Sequence, residues 1–315
     1  MRLLQNKHVD FMRWRGVAIA ASLVVILAGV LSLVLKGGPA YGIDFRGGLE
    51  LHLRFDGVHD PDAVRSALAT VGYAAAEIKQ YGRPEEILVR IGQDRGGAES
   101  TRTMLTALEA AFPGDPPELL ASNTIGPKIG QELRESALSA ILFTLGLLLV
   151  YIGIRFDFRF GVGAIVALFH DVLITLGVFS LLDREISIAV LAAFLTLVGY
   201  SLNDTIVVFD RIRENLRKRH RAVVPIEQII NASINETLSR TIITGLTTLI
   251  VVVVCLLFGG EVLRDFFLCL LIGILVGTYS SIFIAAPVIT LWKSGGRGGT
   301  TGRVASRSAT GAVHH

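Results

Sequence analysis

Six apolar runs divide the chain, at 16–35, 137–154, 161–182, 186–209, 241–258 and 266–292. About 18 to 20 apolar residues in a helix cross a hydrocarbon core about 30 Å thick, so each run is read as a spanning helix. The last is overlong and is expected to tilt. The stretch 36–135 has a different rhythm. Leu49, Leu51, Leu53 and Phe55 alternate with Glu50, His52, Arg54 and Asp56, the period-two pattern of a half-buried strand. Asp60 and Pro61 then open an amphipathic helix through Val64, Ala67, Leu68 and Val71. Two short strands near 76–81 and 86–91 flank a turn containing Gly82 and Pro84, a helix over 99–111 uses Met104, Leu105 and Leu108, and a last strand runs near 118–125. The order βαββαβ predicts a ferredoxin-like α+β domain inserted into a six-helix all-α membrane bundle. The expected division is an N-terminal segment 1–15, a first span 16–35, the inserted domain 36–135, five spans over 136–292 with a polar loop at 210–240, and a disordered tail 293–315.

Basic residues orient these spans, because positive charge is retained on the cytoplasmic side. Arg2, Lys7, Arg13 and Arg15 precede the first span, Arg155 and Arg159 follow the second, and a cluster from Arg211 to Arg221 follows the fourth. Lys293, Arg297, Arg303 and Arg307 follow the sixth, whereas the opposite short loops carry one basic residue each, Arg184 and Arg264. Both termini are therefore expected in the cytoplasm and the inserted domain outside it, in a multi-pass protein of the cell membrane. A cleaved signal peptide is disfavoured, because the first apolar run exceeds a typical signal core and no small-x-small cleavage site follows.

Composition agrees: 51% hydrophobic and 18% charged residues, with a mean hydropathy of +0.58, are unlike a soluble enzyme. The net charge of +3 follows from topology and calls for no nucleic-acid partner, while contact with anionic lipid fits it. Cys255 and Cys269 lie in apolar runs and read as packing residues, with no support for a disulfide framework or a metal site. The inserted domain has no cysteine–histidine cluster, phosphate loop or nucleophile constellation, so binding or mechanical coupling suits it better than catalysis, and no cofactor is expected. His52, His59 and the carboxylates there read as solvated surface groups.

The polar residues within the spans are the candidate chemistry. An ionised Asp at the centre of a spanning helix costs about 2.5 to 3.5 kcal/mol, so such residues pair, titrate or line a pathway. Asp204, behind Asn203, lies seven residues before Arg211, about 10 Å from the helix end, and Asp171, next to His170, lies at a similar depth. If the two helices pack together, both carboxylates are expected at one polar cluster. Arg240 opens the fifth span, where its guanidinium can pair with a carboxylate or snorkel to lipid phosphate. His170 can relay protons or pack as a neutral ring. Gly273, Gly277 and Ser281 give the last span a small-xxx-small face for a partner chain or lipid. Ile226, Ile229, Ile230 and Ile234 predict a short helix lying at the cytoplasmic interface.

Glycine-rich segments bracket the inserted domain, with Gly42, Asp44, Gly47 and Gly48 in GIDFRGG and Gly126 and Gly130 in IGPKIG. They read as hinges or as ordinary connectors. These two motifs, FHD at 169–171 and GYSLNDTIVVFDRIRE at 199–214, resemble the SecF branch of the SecD/SecF protein-export family, within the resistance-nodulation-division superfamily. The resemblance covers nearly all of 1–292. It implies a six-span half-transporter that pairs with a six-span SecD homologue, associates with the SecYEG channel, and uses the proton motive force in late translocation of exported preproteins. It also implies that Arg240 partners the intramembrane Asp204. A sodium ion could use the same carboxylates. The alternatives are a small-molecule or lipid exporter of the superfamily, which would need a much larger external domain, and a passive scaffold of the channel complex.

Overall fold

The computed structural model describes residues 9–92, 97–218, 224–260 and 263–291. The expected tail 293–315, the ends of the basic clusters at Arg2, Lys7, Arg219 and Arg221, and Trp292 lie outside the described residues.

Phe11–Leu35 (α1) begins at Asp10, whose carboxylate accepts from the Arg13 amide at 3.2 Å, and it ends at a turn in which the Gly38 amide reaches Leu33 O at 2.8 Å. A short helix, Ile43–Arg46 (α2), leads into the sheet. Gly48–Arg54 (β1), Glu77–Tyr81 (β2), Arg83–Ile91 (β3) and Glu118–Ile125 (β4) pair antiparallel in the order β2-β3-β1-β4. Leu49 faces Ile91, Leu51 faces Val89 and Leu53 faces Ile87, so the alternating apolar positions share one face. Pro61–Ala69 (α3) and Ala98–Ala111 (α4) cover that face with Val64, Leu68, Met104 and Leu108, all fully buried. Asp60 caps α3 through the Asp62 amide.

His52 and His59 are not the solvated groups the sequence implied. His52 meets Glu86, itself 4% exposed, at 3.1 Å, and Arg54 meets the other Glu86 oxygen at 3.2 Å. His59 donates to or accepts from Asp115 at 2.8 Å. The amide of Asp56, the His59 ring and the amide of Gly57 hold the Asp115 carboxyl below its ordinary range. Period-two reading places His52 on the polar face but cannot see that Glu86 and Tyr81 of the neighbouring strands meet it there.

The remaining chain forms Pro127–Arg155 (α5), Phe158–Leu181 (α6), Ile188–Lys218 (α7), Ile226–Phe258 (α8) and Arg264–Ser280 (α9). The last continues through a π-helical turn, Ser281–Ala285, into Ala286–Leu291 (α10). Among the described residues six helices are long and apolar enough to cross a membrane. α7 packs most heavily on α9, and α1 on α6, where Gly29 faces Gly177. A Cβ at Gly29 would stand 2.5 Å from Gly177 Cα, so the two backbones touch there and only glycine fits.

Two expectations are corrected. The polar stretch before the fifth span forms no separate interfacial helix. α8 runs unbroken, and Ile229, Ile230 and Ile234 enter the core with Phe209, Ile212 and Ile282. The Gly273–Gly277 face meets neither a partner nor lipid: it receives Leu197 and Ser201 of α7.

Candidate functional site

The buried polar groups gather along the seam between α7 and α9, in two sets. On α6, His170 and Asp171 are 6% and 1% exposed. One Asp171 oxygen meets His170 Nδ1 at 2.8 Å, and the other accepts from Ser201 of α7 at 2.5 Å and from Ser280 of α9 at 2.8 Å. His170 Nε2 lies 2.9 Å from Ser22 of α1, which lies 3.0 Å from the Tyr279 hydroxyl, and Tyr279 donates to Ala18 O at 2.7 Å. The imidazole also stacks on the Tyr279 ring, with centroids 6.0 Å apart. One network therefore ties α1, α6, α7 and α9.

Its hydrogens can be counted. Four contacts run from Ala18 O to Asp171, and Tyr279, Ser22 and a neutral imidazole bring one hydrogen each. Three hydrogens leave one contact unmet.

Asp204 lies one turn beyond Ser201 on α7 and is 3% exposed. Thr278 of α9 stands beside it, and Arg240 of α8 acts on it electrostatically from an exposed position. Yet Asp204 Oδ2, Thr278 Oγ1, Thr241 Oγ1 and the Tyr200 hydroxyl are all buried without a hydrogen bond of good geometry among the described residues; Thr278 is only a loose neighbour of Asp204, and Thr248 of Tyr200. Thr278 and Tyr200 converge on Gly245 of α8, where a Cβ would stand 3.4 Å from Thr278 Oγ1 and 3.9 Å from the Tyr200 hydroxyl. Buried carboxylate oxygens are costly to leave unmet, so this set is under-satisfied where both Asp171 oxygens have partners.

The single cluster expected around both carboxylates is thus divided. Asp171 and Asp204 share the α7–α9 seam but have different surroundings: Ser201 and Ser280 donate to Asp171, whereas Asp204 has Thr278 as a neighbour and Arg240 as a charge acting from a distance. Asn203 joins neither. Its side chain is exposed on α7 and makes no hydrogen bond among the described residues. Sequence reasoning missed Ser22, Ser280, Tyr279 and Thr278, single hydroxyls in apolar helices that nothing in the local pattern sets apart. Tyr200 and Ser201 stood within the GYSLND string, the one signal available.

The glycine motifs meet at the sheet-bearing end. The Gly42 amide donates to Ile186 O at 2.9 Å and the Ile186 amide to Ala40 O at 2.7 Å, making a parallel bridge to the loop before α7. Asp44 accepts from the amide of Ile188, the first residue of α7, at 2.8 Å, so a residue 144 positions away caps the helix that carries Asp204. Arg90 of β3 bridges Glu50 and Glu185, and Lys36 meets Asp183 at 2.7 Å, lowering that carboxyl's pKa. Gly47 and Gly48 adopt positive φ, and a Cβ at Gly48 would stand 2.3 Å from Ile91 O. Gly130 of α5 faces the Gly47 backbone, whereas Gly126 caps α5 in open space. Five of the six predicted hinge or interface residues therefore form one clasp.

A six-helix bundle with ionisable groups buried between its helices, clasped to an antiparallel sheet, defines a multi-pass membrane protein of the transporter-like class. Residues 106–295 match the family described as Protein export membrane protein SecD/SecF, C-terminal. The chain belongs to this family, and its role is that of a SecF-type accessory subunit of the Sec translocase. It is 48% identical to the protein translocase subunit SecF of Rhodothermus marinus, over 92% of this chain and 94% of that one. The SecF subunit of Thermodesulfovibrio yellowstonii is 43% identical, over 92% of this chain and 97% of that one. Among solved structures, SecDF of Thermus thermophilus, a translocon-associated membrane protein, matches with a TM-score of 0.83 at 41% identity, over 93% of this chain and 40% of that one. SecDF in a super-membrane-facing form matches at the same identity and coverage with a TM-score of 0.67.

Proposed function

We propose that this chain pairs with a SecD homologue beside the SecYEG channel and converts proton flow into movement that promotes late translocation and release of exported preproteins. The carrying observation is that Asp44 of the clasp caps α7, the helix that holds Asp204 and donates to Asp171 through Ser201. A change of charge at a buried carboxylate alters the packing of α7, and the cap transmits it to the sheet. A proton crossing 100 mV releases about 2.3 kcal/mol, enough to bias a helix rearrangement between two arrangements of similar energy. Asp204 is the exchanging group, Arg240 favours its ionised form, and the His170–Asp171 dyad holds or relays a second proton.

The basic asymmetry supports cytoplasmic termini and an outward-facing sheet in the cell (inner) membrane. The strand order β2-β3-β1-β4 with α3 and α4 on one face supports a ferredoxin-like assignment for the domain. The match to SecDF over 40% of its length supports a half-transporter of the resistance-nodulation-division type.

Export measured in vesicles with and without an imposed proton gradient tests this reading. Asp204→Asn keeps size and hydrogen bonding but cannot exchange a proton near neutral pH, so gradient-dependent stimulation is lost while the variant still copurifies with SecD. Arg240→Met behaves alike, and Arg240→Lys retains part of the stimulation because charge remains without the fork. Full stimulation in Asp204→Asn would leave a passive scaffold as the better account.

A further inference from the structure

A cavity of about 580 Å³ lies between α5 and the α6–α7 pair and belongs to neither polar set. α5 packs sparsely on its neighbours, touching α6 and α7 at few points, which leaves the space open. Arg134, Ala137, Leu138, Ile141 and Leu145 line it from α5, a stripe at helical spacing that runs 11 residues, about 16 Å, along the membrane normal. Val172, Leu176, Phe194 and Val198 form the opposite wall, and Tyr41 and Phe45 of the clasp close the sheet-side end. Leu138 and Leu145 are exposed, so the cavity communicates with the surrounding bilayer.

The charge sits at one end. Arg134 and Arg46 are both exposed at the sheet-side mouth, and Arg134 makes no hydrogen bond or ion pair among the described residues. Arg46 lies within electrostatic reach of Glu77. Among the described residues the lining has no acidic side chain, and below the two arginines it is apolar but for Thr144. A volume in the range of small-molecule sites, with guanidinium groups at headgroup depth and an apolar trough extending to mid-membrane, matches one chemistry. We propose that this groove is a binding site for one anionic glycerophospholipid of the sheet-side leaflet. Its phosphate pairs with Arg134 and Arg46, and an acyl chain lies along the α5 stripe. Guanidinium binds phosphate oxygens through paired N–H donors, and the apolar trough takes the chain from the bilayer without opening new surface to water.

The site lies under the clasp, because Tyr41 and Phe45 form its roof, so its occupant supports the α2 element that caps α7. The proposal needs the membrane-spanning reading of α5 to α7 but not proton coupling, and its test is a binding measurement independent of export.

Full-length protein, delipidated in mild detergent, is titrated with phosphatidylglycerol or phosphatidylcholine of equal chain length and followed by native mass spectrometry. One phosphatidylglycerol should bind preferentially, and Arg134→Gln should weaken it about fivefold, the effect of one basic residue at an anionic surface, while Arg134→Lys retains most of the binding. Ala137→Phe, which fills the trough and leaves both arginines, should block binding of either lipid. Inorganic phosphate should not displace the lipid. A photoreactive group at position 138 in native membranes should crosslink to lipid. Equal binding of both lipids, Arg134→Gln binding like wild type, displacement by phosphate, or crosslinks to a partner subunit or an exported chain would each overturn the assignment. Arg134 is exposed, so unchanged thermal melting of Arg134→Gln separates a binding loss from misfolding.

Discussion

Two carboxylates one seam apart meet burial in opposite ways, and the difference fixes what nearby hydroxyls contribute. Ser201 and Ser280 donate to Asp171, so Ser280→Ala should lower the stability of the bundle by about 1 to 3 kcal/mol, the cost of a donor withdrawn from a buried acceptor. Thr278 stands beside Asp204, but its hydroxyl makes no hydrogen bond of good geometry among the described residues, so Thr278→Val, close in shape, removes a buried polar atom that is poorly satisfied here. Its melting temperature in detergent should match or exceed that of the wild type. The paired melts check both statements. A Thr278→Val loss as large as that of Ser280→Ala would mean that Thr278 is engaged and that the two sets are not distinct. Asp204 and Asp171 were legible in the sequence because a carboxylate in an apolar run is costly wherever it stands. Ser22 and Tyr279 were not: a lone serine in a helix can satisfy itself on the preceding turn, and neither it nor the hydroxyl of a tyrosine carries a mark of its distant partner.

At the scale of elements, the clasp depends on Asp44, which accepts from the Ile188 amide and so supplies α7 with a cap from another segment. Asp44→Ala should destabilise the protein by about 0.5 to 2 kcal/mol, the range for lost N-caps, and Asp44→Asn should recover most of it, since the amide oxygen still accepts. Amide exchange should rise at the first turn of α7 and not along α9. Uniform acceleration across the bundle would indicate a packing defect and not a lost cap. The six spans and the four strands were readable from the sequence because hydrophobic length and period-two alternation are local properties. The clasp was readable only as a glycine-rich junction: its purpose lies in contacts across 144 residues that no local period encodes. The unbroken α8 escaped for a related reason, since its isoleucines follow the pattern of an interfacial helix and only the packing of Phe209 and Ile282 shows that they face inward.

For the whole molecule, the informative surface is the exposed face of α7. Ala192, Thr196, Gly199 and Asn203 form one stripe at helical spacing, all exposed, and space is open within 4 Å of a Cβ at Gly199. Small residues allow a second helix to approach closely, and an amide in mid-membrane gains from a partner that lipid cannot supply. On the proposed pairing, the helix whose other face carries Asp171's donor and Asp204 is therefore the one expected to meet the SecD half. Interhelical hydrogen bonds of this kind contribute about 0.6 to 1.7 kcal/mol, so Asn203→Leu should weaken copurification with SecD about threefold to tenfold. The same substitution should leave the melting of the isolated chain unchanged or higher, because it replaces an unpaired amide with an apolar side chain. Position 203 can also be tested directly. In an Asn203→Cys variant with Cys255 and Cys269 replaced by alanine, the introduced thiol should form a disulfide with cysteines scanned along the spanning helices of SecD and not with the channel subunits. Undiminished pairing by Asn203→Leu, together with labelling of that introduced thiol by a lipid-soluble reagent in the assembled complex, would place the partner on another face and break the link between pairing and the buried carboxylates.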